Sequence, residues 1–278
     1  MKLGFVTCVQ LGLSCIEEIA AQGIELDIII TLKDNKAQKK SGRIFLDDYC
    51  IKNKIKLYKI NHINDQDVEN IIIDNKIDYL FIIGWSQIAN KRILDLPRYG
   101  TLGMHPTLLP IGRGRASIPW TILKGLKETG VTLFKLDEGV DTGPIIMQST
   151  IKVENNENAT SLYKKIEIEH INLISKAIKK VINNNIKMYV QDESKATVWP
   201  GRKPEQGLIN KKNSVYEAER LVRALTKPYP GAFIVEGKYK TIIWKAHLDY
   251  KLRIASVKHI KFYDGYLIFD EYETKYKE

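Results

Sequence analysis

This chain has little cysteine and no long apolar run, and each shortage narrows what it can be. Cys8, Cys15 and Cys50 are odd in number and form no CxxC pair, and no secretory leader is expected ahead of them. A disulfide framework is therefore not expected, and reduced thiols in a cytoplasmic protein are. The opening MKLGFVTCVQ holds only a short apolar strand, and no stretch approaches the ~18 apolar residues of a membrane span. No membrane role follows from it. The five histidines and three cysteines show no metal-ligand spacing, so no metal site is predicted. A Walker loop and a GxGxxG fingerprint are absent too, and TCVQLGLS after the first predicted strand lacks dinucleotide-binding glycines.

What is present fits a folded α/β protein. The 278 residues are 44% hydrophobic and 27% charged, enough for a principal domain and a smaller appendage. The formal net charge of +10 would draw polyanions. Much of it, however, is lysine scattered among isoleucine and asparagine, as in IKNKIKLYKINHIND, which reads as solvated surface.

Compact apolar strands alternate with helices: KLGFVT, LSCIEEIAAQG, LDIIITL, IFLDDYCIKNK, IKLYKI, DVENIIIDNK and IDYLFIIGW. Such alternation predicts βαβ units and a Rossmann-like parallel sheet with ligands at the carboxyl ends of its strands. GTLGMHP and GVTLFKLDEGVDTGPIIMQ extend the pattern, and apolar residues at Leu162, Ile166, Leu173, Ala177 and Val181 predict a long helix over 160–182. From QDESKATVWPGRKPEQG the texture turns to proline, glycine and charge. The short helix SVYEAERLVRALT follows, then two hairpins with turns at Glu236-Gly237 and Asp264-Gly265. The predicted domains are thus 1–190 and a small, mostly β region over 191–278.

One constellation stands out for chemistry. In GMHPTLLP a strand ends at His105 and breaks into a proline turn, and LDEGVDTGP offers carboxylates at Asp137, Glu138 and Asp141 after the next strand. A carboxylate beside an imidazole fixes its tautomer and stabilises its protonated form, as acid–base work needs. Between them, IGRGRAS places Gly112 and Gly114 around Arg113 and Arg115 ahead of a helix, a pattern suited to anions.

These residues also carry a resemblance. GMHPTLLPIGRGRASIPWTILKGLKETGVTLFKLDEGVDTGPIIMQ resembles the core of the formyltransferases that use 10-formyltetrahydrofolate, with its HPSLLP-type segment, RG loop, TGVT strand and LDTG loop. KATVWPGRKPEQGLIN with LVRALTKPYPGAF resembles the C-terminal region shared by methionyl-tRNA and sugar N-formyltransferases. The resemblance implies His105 and Asp141 as the catalytic pair and 10-formyltetrahydrofolate as formyl donor. It implies a folate site along Trp85, Ser86 and Gln87 and the loop carrying Gly139 and Val140. Arg115, Trp199, Arg202 and Tyr229 become candidates for acceptor contacts.

One family residue is missing. The family pattern is Asn-x-His, and the asparagine position here is Gly103. By resemblance the asparagine amide would donate to the formyl oxygen as an amine attacks, and losing such a donor costs on the order of 100- to 1000-fold in rate. Ser86, Gln87 or an ordered water replaces it, or the reaction is hydrolysis of 10-formyltetrahydrofolate, or the chain binds without catalysis. Among acceptors, the RGRA segment and the modest length resemble the sugar-modifying members. An amino sugar, nucleotide-linked and destined for surface glycans, is therefore the expected substrate; the sequence is silent on oligomeric state, and a homodimer is implied only by the resemblance to sugar-modifying members, which often pair. The basic stretch KDNKAQKKSGR (residues 33–43) keeps methionyl-tRNA as the alternative.

Overall fold

The computed structural model describes residues 1–37, 42–252 and 256–276. Strand β1 (Leu3–Val6) leads to helix α1 (Gln10–Ala21), then β2 (Ile28–Leu32), α2 (Asp34–Ala37), α3 (Asp47–Asn53), β3 (Lys56–Ile60), α4 (Gln66–Asp74), β4 (Tyr79–Ile82), α5 (Lys91–Asp95) and β5 (Gly100–His105). Next come β6 (Arg113–Gly114), α6 (Ser117–Leu123), β7 (Glu128–Lys135), β8 (Ile145–Lys152), α7 (Ala159–Ile182) and β9 (Val198–Trp199). The chain ends with α8 (Val215–Leu225), β10 (Ala232–Glu236), β11 (Tyr239–Asp249), β12 (His259–Phe262) and β13 (Gly265–Tyr276). By its internal contacts the chain forms two compact units: Met1–Gly114 with Gly130–Ile151 and Ile166–Val198, and Arg115–Thr129 with Lys152–Lys165 and Trp199–Glu278.

The first unit is built on a seven-stranded sheet ordered β3-β2-β1-β4-β5-β7-β8. Every residue of β1, β2, β4 and β5 is buried, which is why β1, β2 and β4 are almost wholly apolar. At one edge β3 carries Lys56 and Lys59, charges that keep an edge from pairing with another chain. Helix α1 buries Leu11, Cys15, Ile16 and Ile19 along one stripe. A core of Val6, Ile28, Ile30, Ile72, Leu80, Ile82 and Ile93 fills one side of the sheet, each buried side chain contributing about 1.5–3 kcal/mol relative to exposure.

Pairing is parallel from β3 through β5. The predicted parallel sheet stops there, because β7 pairs antiparallel with β5, Gly103 opposite Phe134 and His105 opposite Thr132. The chain re-enters the sheet at the end where β5 finishes instead of crossing back over a face. That return sets β7 directly beside the histidine.

The second unit packs α8 on an antiparallel sheet ordered β10-β11-β13-β12. Val215, Ala218 and Val222 of the helix meet Ile234, Ile243, Ile260, Phe262, Leu267 and Phe269. Ser214 caps α8, its Oγ accepting from Glu217 N while the Glu217 carboxylate accepts from Ser214 N. Both predicted hairpins form, with each turn displaced by one residue: Glu236 pairs with Tyr239 and Phe262 with Gly265, so the turn residues are Gly237-Lys238 and Tyr263-Asp264. Gly237 at φ +57° takes the first turn position, which suits glycine. No helix among the described residues is long and apolar enough to cross a membrane.

Candidate active site

β5 ends at His105 because Pro106 has no N–H for the sheet ladder. The loop beyond is pinned from the neighbouring strand. Thr132 Oγ1 donates to Thr107 O (2.7 Å) and accepts from Leu109 N (3.1 Å), while Gln148 Nε2 donates to Leu109 O at 2.8 Å and to Thr132 Oγ1 at 2.9 Å. His105 itself is buried. Its Nε2 lies 2.8 Å from Gly112 O, and since a carbonyl only accepts, Nε2 carries the hydrogen of the neutral ring. The lone pair therefore sits at Nδ1.

Nδ1 faces Asp141 Oδ2 at 3.4 Å, longer than a strong charge-assisted bond. The same Oδ2 accepts from Gly114 N at 2.8 Å. Oδ1 has no hydrogen-bond partner among the described residues. The expected pairing of histidine and aspartate is thus present, but the ring is oriented by the Gly112 carbonyl, with Asp141 standing opposite the basic nitrogen.

Asp141 sits at φ +57°, a left-handed conformation uncommon for residues other than glycine, though aspartate enters it more readily than most. Part of what holds it there is Gly143, where a Cβ would collide with the Lys135 carbonyl oxygen. Another part is Gln191, whose Nε2 donates to Asp141 O (2.9 Å) and Gly143 O (2.7 Å). The Gln191 Oε1 accepts from Arg113 Nε (3.1 Å) and NH2 (2.8 Å). Arg113 grips a carboxylate as its type predicts, but that carboxylate is Glu193 of its own chain, met by NH1 at 2.9 Å and NH2 at 2.6 Å. Sequence reasoning missed Gln191 and Glu193, which lie 50 and 80 residues from their partners and leave no local signal.

The folate candidates gather on neighbouring loops. Trp85, Ser86 and Gln87 follow β4, the strand beside β5, and Gly139 and Val140 lie in the loop that also carries Asp141. Lys91 Nζ, at the start of α5, reaches Glu138 Oε1 of that loop at 2.9 Å. Trp85 packs near Cys8, Val9 and Leu32, and its Nε1 is buried without a partner. Val140 is 49% exposed. Ser86 is exposed, and Gln87 is committed elsewhere: its Oε1 accepts from Ile63 N (2.9 Å) and its Nε2 donates to Asn61 O (3.1 Å). Nor does a polar side chain fill the space at Gly103. A Cβ there would meet Leu136 Cδ2 at 2.7 Å and Cγ at 3.1 Å, so leucine occupies the room of the family asparagine.

A second buried histidine, also missed, lies on α7. His170 Nδ1 donates to Ile166 O at 2.8 Å, and Nε2 is buried without a partner. Burial pushes its pKa down to about 4, and the nearby His105 acts in the same direction. Cys8, Cys15 and Cys50 are unbridged and buried, and burial raises the Cys15 thiol to about 12. No cluster of metal-ligating side chains exists among the described residues.

The acceptor candidates all belong to the second unit. Arg115 is exposed beside Gly201, and Trp199 is buried with Lys124 Nζ 6.0 Å from its ring centroid. The Arg202 guanidinium stacks on Trp120 at 5.0 Å and donates to Gln206 O at 3.0 Å. Tyr229 is half-buried, and burial raises its phenol pKa. In the basic stretch 33–43, residues 38–41 lie outside the described residues, and Arg43 turns inward to Leu32 O and Asp34.

Comparison with known proteins gives the family. The bifunctional polymyxin resistance protein ArnA of Wigglesworthia glossinidia brevipalpis is 31% identical over 241 residues, 87% of this chain and 36% of that protein. The chain thus spans about a third of that relative's length. The methionyl-tRNA formyltransferase of Alkaliphilus oremlandii is 28% identical over 248 residues, 88% of this chain and 80% of its own. Among solved structures, an N-formyltransferase from Helicobacter canadensis, in complex with folinic acid and dTDP-3-aminofucose, superposes with a TM-score of 0.73 at 23% identity, covering 98% of this chain and 100% of that one. The formyl transferase profile matches residues 14–178 and the formyl transferase C-terminal profile residues 202–261. With more than half of its length matched, the chain belongs to the formyl transferase family.

Proposed function

We propose that this chain moves a formyl group from 10-formyltetrahydrofolate to the amine of a nucleotide-linked amino sugar. The observation that supports the acceptor choice is the TM-score of 0.73 with a formyltransferase solved with a dTDP-amino sugar, against 0.62 with the methionyl-tRNA formyltransferase of Clostridium thermocellum at equally full coverage. The methionyl-tRNA formyltransferase relative supports tRNA as a second reading.

The residues fit the donor. A buried indole N–H of Trp85 with no protein partner and the exposed apolar side chain of Val140 offer an unused donor and an apolar wall of the kind a planar heteroaromatic ring takes. When bound, 10-formyltetrahydrofolate supplies the formyl group as an activated N-formyl carbonyl. Asp141 Oδ1, free of hydrogen bonds among the described residues, is the carboxylate atom open to the acceptor amine. His105 keeps its Nε2 hydrogen on Gly112 O, so a further proton is held at Nδ1, facing Asp141 Oδ2. A cation formed there counters negative charge developing beside it.

An acceptor screen tests the reading: purified protein, 10-formyltetrahydrofolate, and separate reactions with nucleotide-linked amino sugars, methionyl-tRNA or no acceptor, followed by mass spectrometry. One sugar gains a formyl group, and His105→Ala lowers the rate by about 100-fold or more. Formylated tRNA would replace the sugar reading, and donor turnover without acceptor would replace transfer with hydrolysis.

A further inference from the structure

We propose that Gln191 is a positioning residue for the transfer reaction, an inference that rests on the roles given above to His105 and Asp141. Gln191 is 5% exposed and commits its whole side chain to the frame of the site. Its amide orientation is fixed by its neighbours. The carbonyls of Asp141 and Gly143 only accept and the Arg113 guanidinium only donates, so exchanging O and N would turn four favourable contacts repulsive.

Two arms of the site meet in this one amide. On one side it holds the backbone of Asp141 and Gly143, which keeps Asp141 in its left-handed conformation. On the other it holds Arg113, locked by Glu193, between the two residues that set the pair's geometry. Gly112 supplies the carbonyl that orients His105, and Gly114 supplies the N–H that fixes Asp141 Oδ2. Gln191 therefore sets the separation of Nδ1 and Oδ2 without touching either. Displacements near 1 Å at such a pair cost up to about 100-fold in rate.

The test uses two side chains of similar size. Gln191→Glu keeps the contact with Arg113 as an ion pair but turns an acceptor toward two carbonyls. Gln191→Met removes every bond and keeps the volume, and it stands in if the glutamate variant does not fold. At pH near 8, both variants lose about tenfold or more in kcat with KM for the donor within about twofold. In substrate-free protein, nitrogen-15 spectra of the labelled histidines show shifted His105 ring resonances in both variants.

Folded variants with wild-type kcat and unmoved His105 resonances would overturn the proposal and leave Gln191 as linker packing. If the wild-type protein transfers no formyl group, the functional reading fails separately. The histidine spectra then still decide whether Gln191 holds the pair.

Discussion

At Gly103 the absence of a side chain is filled by an apolar neighbour. Leu136 Cδ2 lies 2.7 Å from where a Cβ would stand, and Leu136 also packs against the Ile82 and Ile93 core. Gly103→Asn is therefore expected to overpack the site and cost about 1–3 kcal/mol of stability. Leu136→Ala alone leaves a void, and combining the two substitutions relieves both defects. Thermal melts of the four proteins in a double-mutant cycle should give a coupling of about 1 kcal/mol or more, and additive shifts would show that Leu136 does not fill the space. The missing asparagine was legible in the sequence, because a family motif made its position explicit. Its replacement was not, since Leu136 and Gly103 meet only once β7 has turned back beside β5.

Elements were the most legible level, because periodicity is local. The stripe Leu162, Ile166, Leu173, Ala177 and Val181 correctly marked α7 and left His170 at the turn between Ile166 and Leu173, inside the buried face. That position carries a pH consequence. The folded pKa lies near 4 against 6.5 for the free side chain, so the unfolded chain takes the proton first. The contribution to stability is complete above pH 6.5 and is lost as the pH falls toward 4, by up to about 3 kcal/mol. His170→Leu should match the wild type near neutrality, since the unpartnered Nε2 disappears with the ring, and should exceed it progressively in acid. Parallel melting curves across that range would contradict the assignment. The reversed direction of β7 and the one-residue offsets of both hairpin turns were not legible, since register depends on pairing partners as well as on turn residues.

For the molecule as a whole, the sequence singled out His105 and Asp141 but not the frame that holds them. His105 and Asp141 sit in a contiguous motif, whereas Arg113 meets Gln191 across 78 residues. The second unit is assembled in the same long-range manner. Helix α8 lies against α6, Arg220 NH1 donates to Leu123 O at 3.4 Å, and Arg223 NH1 donates to Glu157 O at 2.7 Å. A fragment of residues 199–278 lacks those partners. It should melt broadly at low temperature by circular dichroism, and a sharp cooperative melt near that of the full chain would show that it folds alone. The interleaving also bears on how such proteins diversify. Because this unit draws on three separate stretches of chain, a single crossover between relatives delivers only part of its core. Its core therefore cannot be exchanged whole as one contiguous segment.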